Sequence, residues 1–143
     1  MAYTSDLLAG LAQLLDGAGL GTYRPTGVYT DGETGITVAV VPEAPDRLIC
    51  LTPYPVEDTG LTDVITGVQI RMRAGRNPTD VSDLADNVRD LFHNRRGFTA
   101  GAVLVTAMWR ESQALLGQDE HGRIEVASNY YVRGTRPGPH LYE

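Results

Sequence analysis

The chain has 143 residues, 42% of them apolar, with 16 glycines, 8 prolines and a formal charge of −6. That length suits one domain with a core of its own, and the acidic balance lacks the basic footprint of tight, nonspecific nucleic-acid binding. A single cysteine, Cys50, excludes an internal disulfide, and no run reaches the about 18 apolar residues of a membrane span.

The opening MAYTSDLLAG has neither a basic region nor a long apolar run. It does not read as a signal peptide, so the expectation is a protein made and used in a cytoplasm or in an assembly built there. Leu7, Leu8, Leu11, Leu14 and Leu15 recur at helical spacing. Thr4 or Ser5 is the expected cap, and Gly17 and Gly19 the stop. Residues 19–35 read as loop with a short edge strand. ITVAVV (36–41) is strand-like, and PEAPD (42–46) breaks it. RLICLTPY (47–54) is the next strand, with Cys50 buried in it and Pro53 and Pro55 ending it. VEDTGLTDV (56–64) reads as a polar, exposed connection.

ITGVQIRMRA (65–74) alternates, Val68, Ile70 and Met72 against Gln69, Arg71 and Arg73, the period of a half-buried strand. Within residues 75–97, Val81, Leu84, Ala85, Val88, Leu91 and Phe92 mark one face of a helix. Thr79 or Asp80 is its expected cap and Gly97 its close. Strands follow at 102–110, 113–117 and 123–133, then a frayed tail, 136–143. Helices separated by strands joined through turns predict a single α+β domain, a mostly antiparallel β-sheet with two helices packed on one face. A barrel is the competing architecture.

The densest chemistry is GQDEHGR, with Asp119, Glu120, His121 and Arg123 within seven residues. Gly122 and the alternation that follows place it at a hairpin tip. Water is freely available there, whereas catalytic groups need desolvation or close partners to shift their pKa values. The histidines, His93, His121 and His140, have no metal-binding spacing, and no nucleophile motif is present. The expectation is no enzyme, no metal and no cofactor. Arg71, Arg73 and Arg76 read either as a solvated sheet edge or as an interface whose partners are Glu57, Asp58 and Asp63 of a neighbouring copy. Tyr130 is assigned to the core by parity, and Tyr131 is left open.

Three segments, ITVAVVPEAPDRLICLTPYPVED, GVQIRMRAGRNPTDVSDLADNVRDLFH and ALLGQDEHGRIEVASNYYVR, together with the leucine helix resemble the tail terminator proteins of long-tailed phages. The likeness is to those labelled minor capsid or tail completion proteins in phages of Gram-positive hosts. The resemblance implies a structural virion protein, built in the host cytoplasm and placed at the head–tail junction. It implies a hexameric ring that caps the head-proximal end of the tail tube, stops polymerisation and docks head completion or neck proteins. DNA would pass through the lumen without specific binding. The expected subunit or tube contacts are Glu57, Asp58, Asp63, Arg71, Arg73, Arg76, Asp119, Glu120, His121 and Tyr131. Replacing Arg73 by Glu or Asp58 by Arg is expected to weaken the ring in a folded monomer. The alternatives are a head completion or neck adaptor, and a small ligand-binding or hydrolytic α+β domain using residues 119–123.

Overall fold

The computed structural model describes residues 2–142. Its elements, in chain order, are α1 (Tyr3–Gly17), β1 (Thr22–Tyr23), β2 (Thr34–Val38), β3 (Arg47–Glu57), β4 (Asp63–Ala74), α2 (Pro78–Phe92), β5 (Arg95–Ala100), β6 (Val103–Gln118) and β7 (Ile124–Thr135). The strands form one sheet in the order β1-β2-β3-β4-β7-β6-β5. The pairs β1/β2 and β2/β3 are parallel and every other pair is antiparallel. This is the expected α+β architecture. The sheet does not close into a barrel, because β1 and β5 remain its two edges.

Both helices bury one stripe in a single core. Leu7, Leu8, Leu11 and Leu15 of α1 and Val81, Leu84, Val88 and Phe92 of α2 meet Ile36, Ile49, Leu51, Val68, Ile70, Met72, Tyr130 and Val132 of the sheet. Each such leucine contributes about 1.5–3 kcal/mol by leaving water. The alternation of β4 is as read: Val68, Ile70 and Met72 are fully buried under the helices. Tyr130 is in the core as parity requires, edge-on to Phe92, and burial pushes its phenol up to about 12. Cys50 is buried.

Several boundaries differ from the sequence reading. Ala2 is the α1 cap residue, without a side-chain bond, so Thr4 and Ser5 lie inside the helix. Asn77 caps α2 by accepting from Thr79 N–H, ahead of Pro78 at the first helical position. α2 ends at Phe92, and Arg95, Arg96 and Gly97 belong to β5, a strand the sequence reading lacked. Gly97 has φ +59°, and the β5/β6 register runs on through it, with Arg96 opposite Ala107 and Phe98 opposite Val105. It lies inside the strand, at a positive φ that glycine adopts freely, and is not a helix stop. The two strands expected at 102–110 and 113–117 are one, β6, with register shifts at Val105/Ala107, Arg110/Ser112 and Leu115/Gly117. Bulges blur the alternation that would have joined them.

β3 runs through both prolines to Glu57. The carbonyl of Leu51 accepts from Ala39 on the β2 side. Residues of the same parity therefore aim their backbone polar groups away from β4. β2 pairs only as far as Leu51, so Pro53 and Pro55 put their missing donors on an unpaired edge and cost the β3/β4 ladder nothing. The expected polar connection 56–64 shrinks to residues 58–62 between β3 and β4. After β7, the chain lies back on that connection: Arg136 N–H donates to Thr62 O, Tyr142 N–H donates to Gly60 O, and the Arg136 guanidinium sits over the Tyr3 ring.

Candidate assembly interface

The sheet face opposite the helices is built in rows by strand register. Tyr54, Gly67, Tyr131 and Trp109 lie side by side across β3, β4, β7 and β6. Next come Thr52, Gln69, Asn129 and Ser112, then Cys50, Arg71, Ala127 and Ala114, then Leu48, Arg73, Glu125 and Gly117. In the first row the Tyr54 ring covers Gly67, where an added Cβ would come within 2.3 Å of it. Tyr131 and Trp109 meet edge to face at 6.0 Å, and Tyr54 Oη donates to Asn129 Oδ1 at 3.3 Å. These rings are half-buried, which places Tyr131 on a partly open aromatic row and not in the core.

The last row is closed over by residues 39–46, the crossover between the parallel strands β2 and β3. Ala39 takes φ +61° to leave β2. Cys50 Sγ donates to Val40 O at 3.4 Å. Arg73 secures the rest. Its Nε donates to Asp46 O at 3.0 Å, and its Nη2 donates to Pro42 O, Glu43 O and Pro45 O at 2.9, 3.3 and 2.6 Å. Arg73 is 2% exposed. Desolvation, then the nearby Arg123 guanidinium, pulls its pKa below the usual arginine value. The expectation that Arg73 faces a neighbouring copy is therefore corrected: its donors are satisfied inside the chain.

Arg71 and Arg73 share Glu125, with Arg71 Nη2 at 2.7 Å from Oε1 and Arg73 Nη1 at 4.0 Å from Oε2. The hydrogen bond to Glu125 raises the Arg71 pKa. Arg71 is half-exposed and already paired.

The 119–123 group is a turn held from within. Asp119 N–H donates to Arg123 O at 2.9 Å, Gly122 N–H to Asp119 O at 3.0 Å, and Gly122 has φ +76°. Asp119 Oδ1 accepts from His121 N–H and Arg123 N–H, both at 2.9 Å, and Oδ2 accepts from Arg123 Nε at 2.8 Å. Arg123, which is buried, also reaches Asp46 Oδ1 at 3.1 Å and Glu43 O. The tip is thus bolted to the crossover, and the picture of a wholly solvated tip is corrected for Asp119 and Arg123. Desolvation pushes the Asp119 carboxyl up, but the Arg123 and His121 hydrogen bonds outweigh it and hold the group at about 2. Its folded value lies below the ordinary 3.8, so its contribution to stability is present above about pH 4 and disappears as pH falls through about 2. The His121 and Arg123 amide resonances are expected to titrate with a midpoint near 2 in NMR; a midpoint near 4 would mean that the turn bonds do not form.

His121 and Glu120 remain exposed. His121 Nε2 is 2.7 Å from Glu43 Oε1 and 3.5 Å from Glu120 Oε1. These three form a grouping of ligand atoms within 4.8 Å, all of them exposed. Two guanidiniums flank the group, Arg76 donating to His121 O at 3.0 Å and Arg123 to Glu43 O. Their charge opposes a cation there.

Strand direction separates the remaining interface candidates. Glu57 ends β3, Asp58 follows it and Asp63 begins β4, all at one end of the sheet. Arg76, Glu120 and His121 lie at the other end, beyond β4 and before β7. Asp63 is paired with Arg133 at 3.5 Å, whereas Glu57 and Asp58 are exposed acids with no ion-pair partner among the described residues. The sequence reading missed the crossover as a structural piece and missed the aromatic row. The prolines of PEAPD and the aromatics Tyr54, Tyr131 and Trp109 were visible, but which face they share depends on register.

A protein-family model described as bacteriophage tail terminator protein matches residues 14–136. No curated protein gives a significant match.

Proposed function

The chain belongs to the bacteriophage tail terminator family, and from that premise we propose that it closes the head-proximal end of the tail tube as a ring of six copies. Membership makes it a structural component of the phage tail that works among other tail and head proteins. In the proposed role the ring matches the last tube ring on one side, stops further addition of tube protein, and offers its other side to head completion proteins. DNA passes through the lumen unbound, consistent with a net charge of −6. No bond is made or broken.

The family match carries this reading, and the charge layout supports it. A closed ring needs two different surfaces that meet head to tail. Exposed Glu57 and Asp58 at one end of the sheet and exposed Arg76 at the other provide such a pair. Arg73 takes no part, and Arg71 contributes only the part of its guanidinium that Glu125 leaves open.

The test uses purified tail tubes and negative-stain microscopy. Wild-type protein is expected to cap tubes and halt their growth. Asp58→Arg is expected to keep the circular dichroism of the wild type while reducing capped ends at least about tenfold, the scale of a misplaced interfacial charge. Unchanged capping by Asp58→Arg would remove this contact from the ring, and tubes that grow past the wild-type protein would end the terminator reading itself.

A further inference from the structure

We propose that, away from the tube, the protein pairs two-fold with a second copy of itself through the outer edge of β6, residues Ser112–Gln118. β5 covers β6 only from Val103 to Met108. His93 Nδ1 then accepts the outward N–H of Arg110 at 3.0 Å. Beyond that point no strand among the described residues lies on the outer side, while the inner side is paired with β7 to Gln118. The bare stretch SQALLGQ has no charge, lysine or proline, and Leu115 and Leu116 are 70% and 49% exposed.

The other edges of the sheet are closed by recognisable devices. β1 has two residues, and its Tyr23 N–H is taken by Asp16 Oδ2 at 2.9 Å. The unpaired part of β3 carries Pro53 and Pro55. β5 is only six residues long and carries two arginines. A strand edge pairs only with another open edge, so the complement that a second copy offers is its own β6. The bulges near Glu111 and Leu116 bracket a regular four-residue run, Ser112–Leu115, long enough for a short antiparallel ladder.

Charge favours the same arrangement. An antiparallel two-fold centred on Ala114 pairs Gln113 with Leu115 and sets Arg110 of each copy opposite Gln118 of the other, beside its hairpin tip. There Glu120 has an 84% exposed side chain whose carboxylate lies 3.5 Å from the His121 imidazole. Because the contact is isologous it closes at two copies and does not propagate into a ring. It is independent of the ring reading, and its failure is seen without any tube present.

Analytical ultracentrifugation of the free, full chain tests it. The wild type is expected to sediment at about twice 15.5 kDa at micromolar concentration. Leu115→Lys/Leu116→Lys is expected to be monomeric with unchanged circular dichroism. Arg110→Glu is expected to weaken the pair at least about tenfold, and Arg110→Glu/Glu120→Arg to restore it. A wild type that stays monomeric, whether because the edge awaits a strand of the tube protein or for any other cause, overturns the proposal. So does a dimer that survives the two lysines.

Discussion

Arg73→Glu is expected to abolish folding, not merely to loosen a contact between copies. The side chain is 2% exposed and its guanidinium satisfies four backbone carbonyls of the crossover, from Pro42, Glu43, Pro45 and Asp46. Removing one partner of a buried charge network costs about 3–5 kcal/mol, a large share of the about 5–15 kcal/mol that holds a small domain. Reversing the charge adds a carboxylate close to Glu125 and to those carbonyl oxygens. The milder Arg73→Met keeps much of the apolar stem but strands the same acceptors. Its urea midpoint is expected to fall by the equivalent of about 3 kcal/mol. A loss below about 1 kcal/mol would show that the crossover does not depend on Arg73. Asp58→Arg, at an exposed site, is the control that separates a contact defect from a folding defect.

Gly10→Ala is the second large effect. Alanine in place of glycine inside an exposed helix gains about 1 kcal/mol, yet here the change is expected to destabilise. A Cβ at position 10 would stand 2.1 Å from Ala100 C and Gly101 N, backbone atoms that cannot swing aside. The approach is reciprocal: Gly101, with φ +58°, would place a Cβ 2.7 Å from Asp6 O. α1 is therefore pressed directly against the β5–β6 turn. Forcing the two apart is expected to cost about 3 kcal/mol net and lower the melting temperature by roughly 10 °C. Gly17→Ala, in the same helix with nothing within 4 Å of the new Cβ, is expected to melt at or slightly above the wild-type temperature. If Gly10→Ala melts with it, α1 does not pack this closely.

The two substitutions mark where a linear reading stops. Arg71 and Arg73 look equivalent in IRMRA, on one face of one strand. Two residues along β4 decide which of them is covered by the crossover. Gly10 looks like an incidental helix glycine, and its role comes from residues 90 positions away. The 119–123 group was legible as a turn from Gly122 and the alternation after it. That Arg123 ties this turn to Asp46 and Glu43 was not, because PEAPD reads only as a strand breaker.

What the sequence determined by itself is local. The leucine stripe of α1, the apolar face of α2, the alternation of β4 and the turn at Gly122 each depend on neighbours within one or two turns of chain, so periodicity reports them directly. The α+β class follows from those elements, and the family resemblance from their order. The tertiary structure decided everything that depends on which strand lies beside which. It set the direction in which Pro53 and Pro55 face, which lets β3 continue through them. It buried Arg73, placed Glu57 and Asp58 at the opposite end of the sheet from Arg76, and left the outer edge of β6 beyond Arg110 without a strand partner among the described residues. These features arise from pairings between residues tens of positions apart, and side-chain spacing along one strand carries no information about the register of the next.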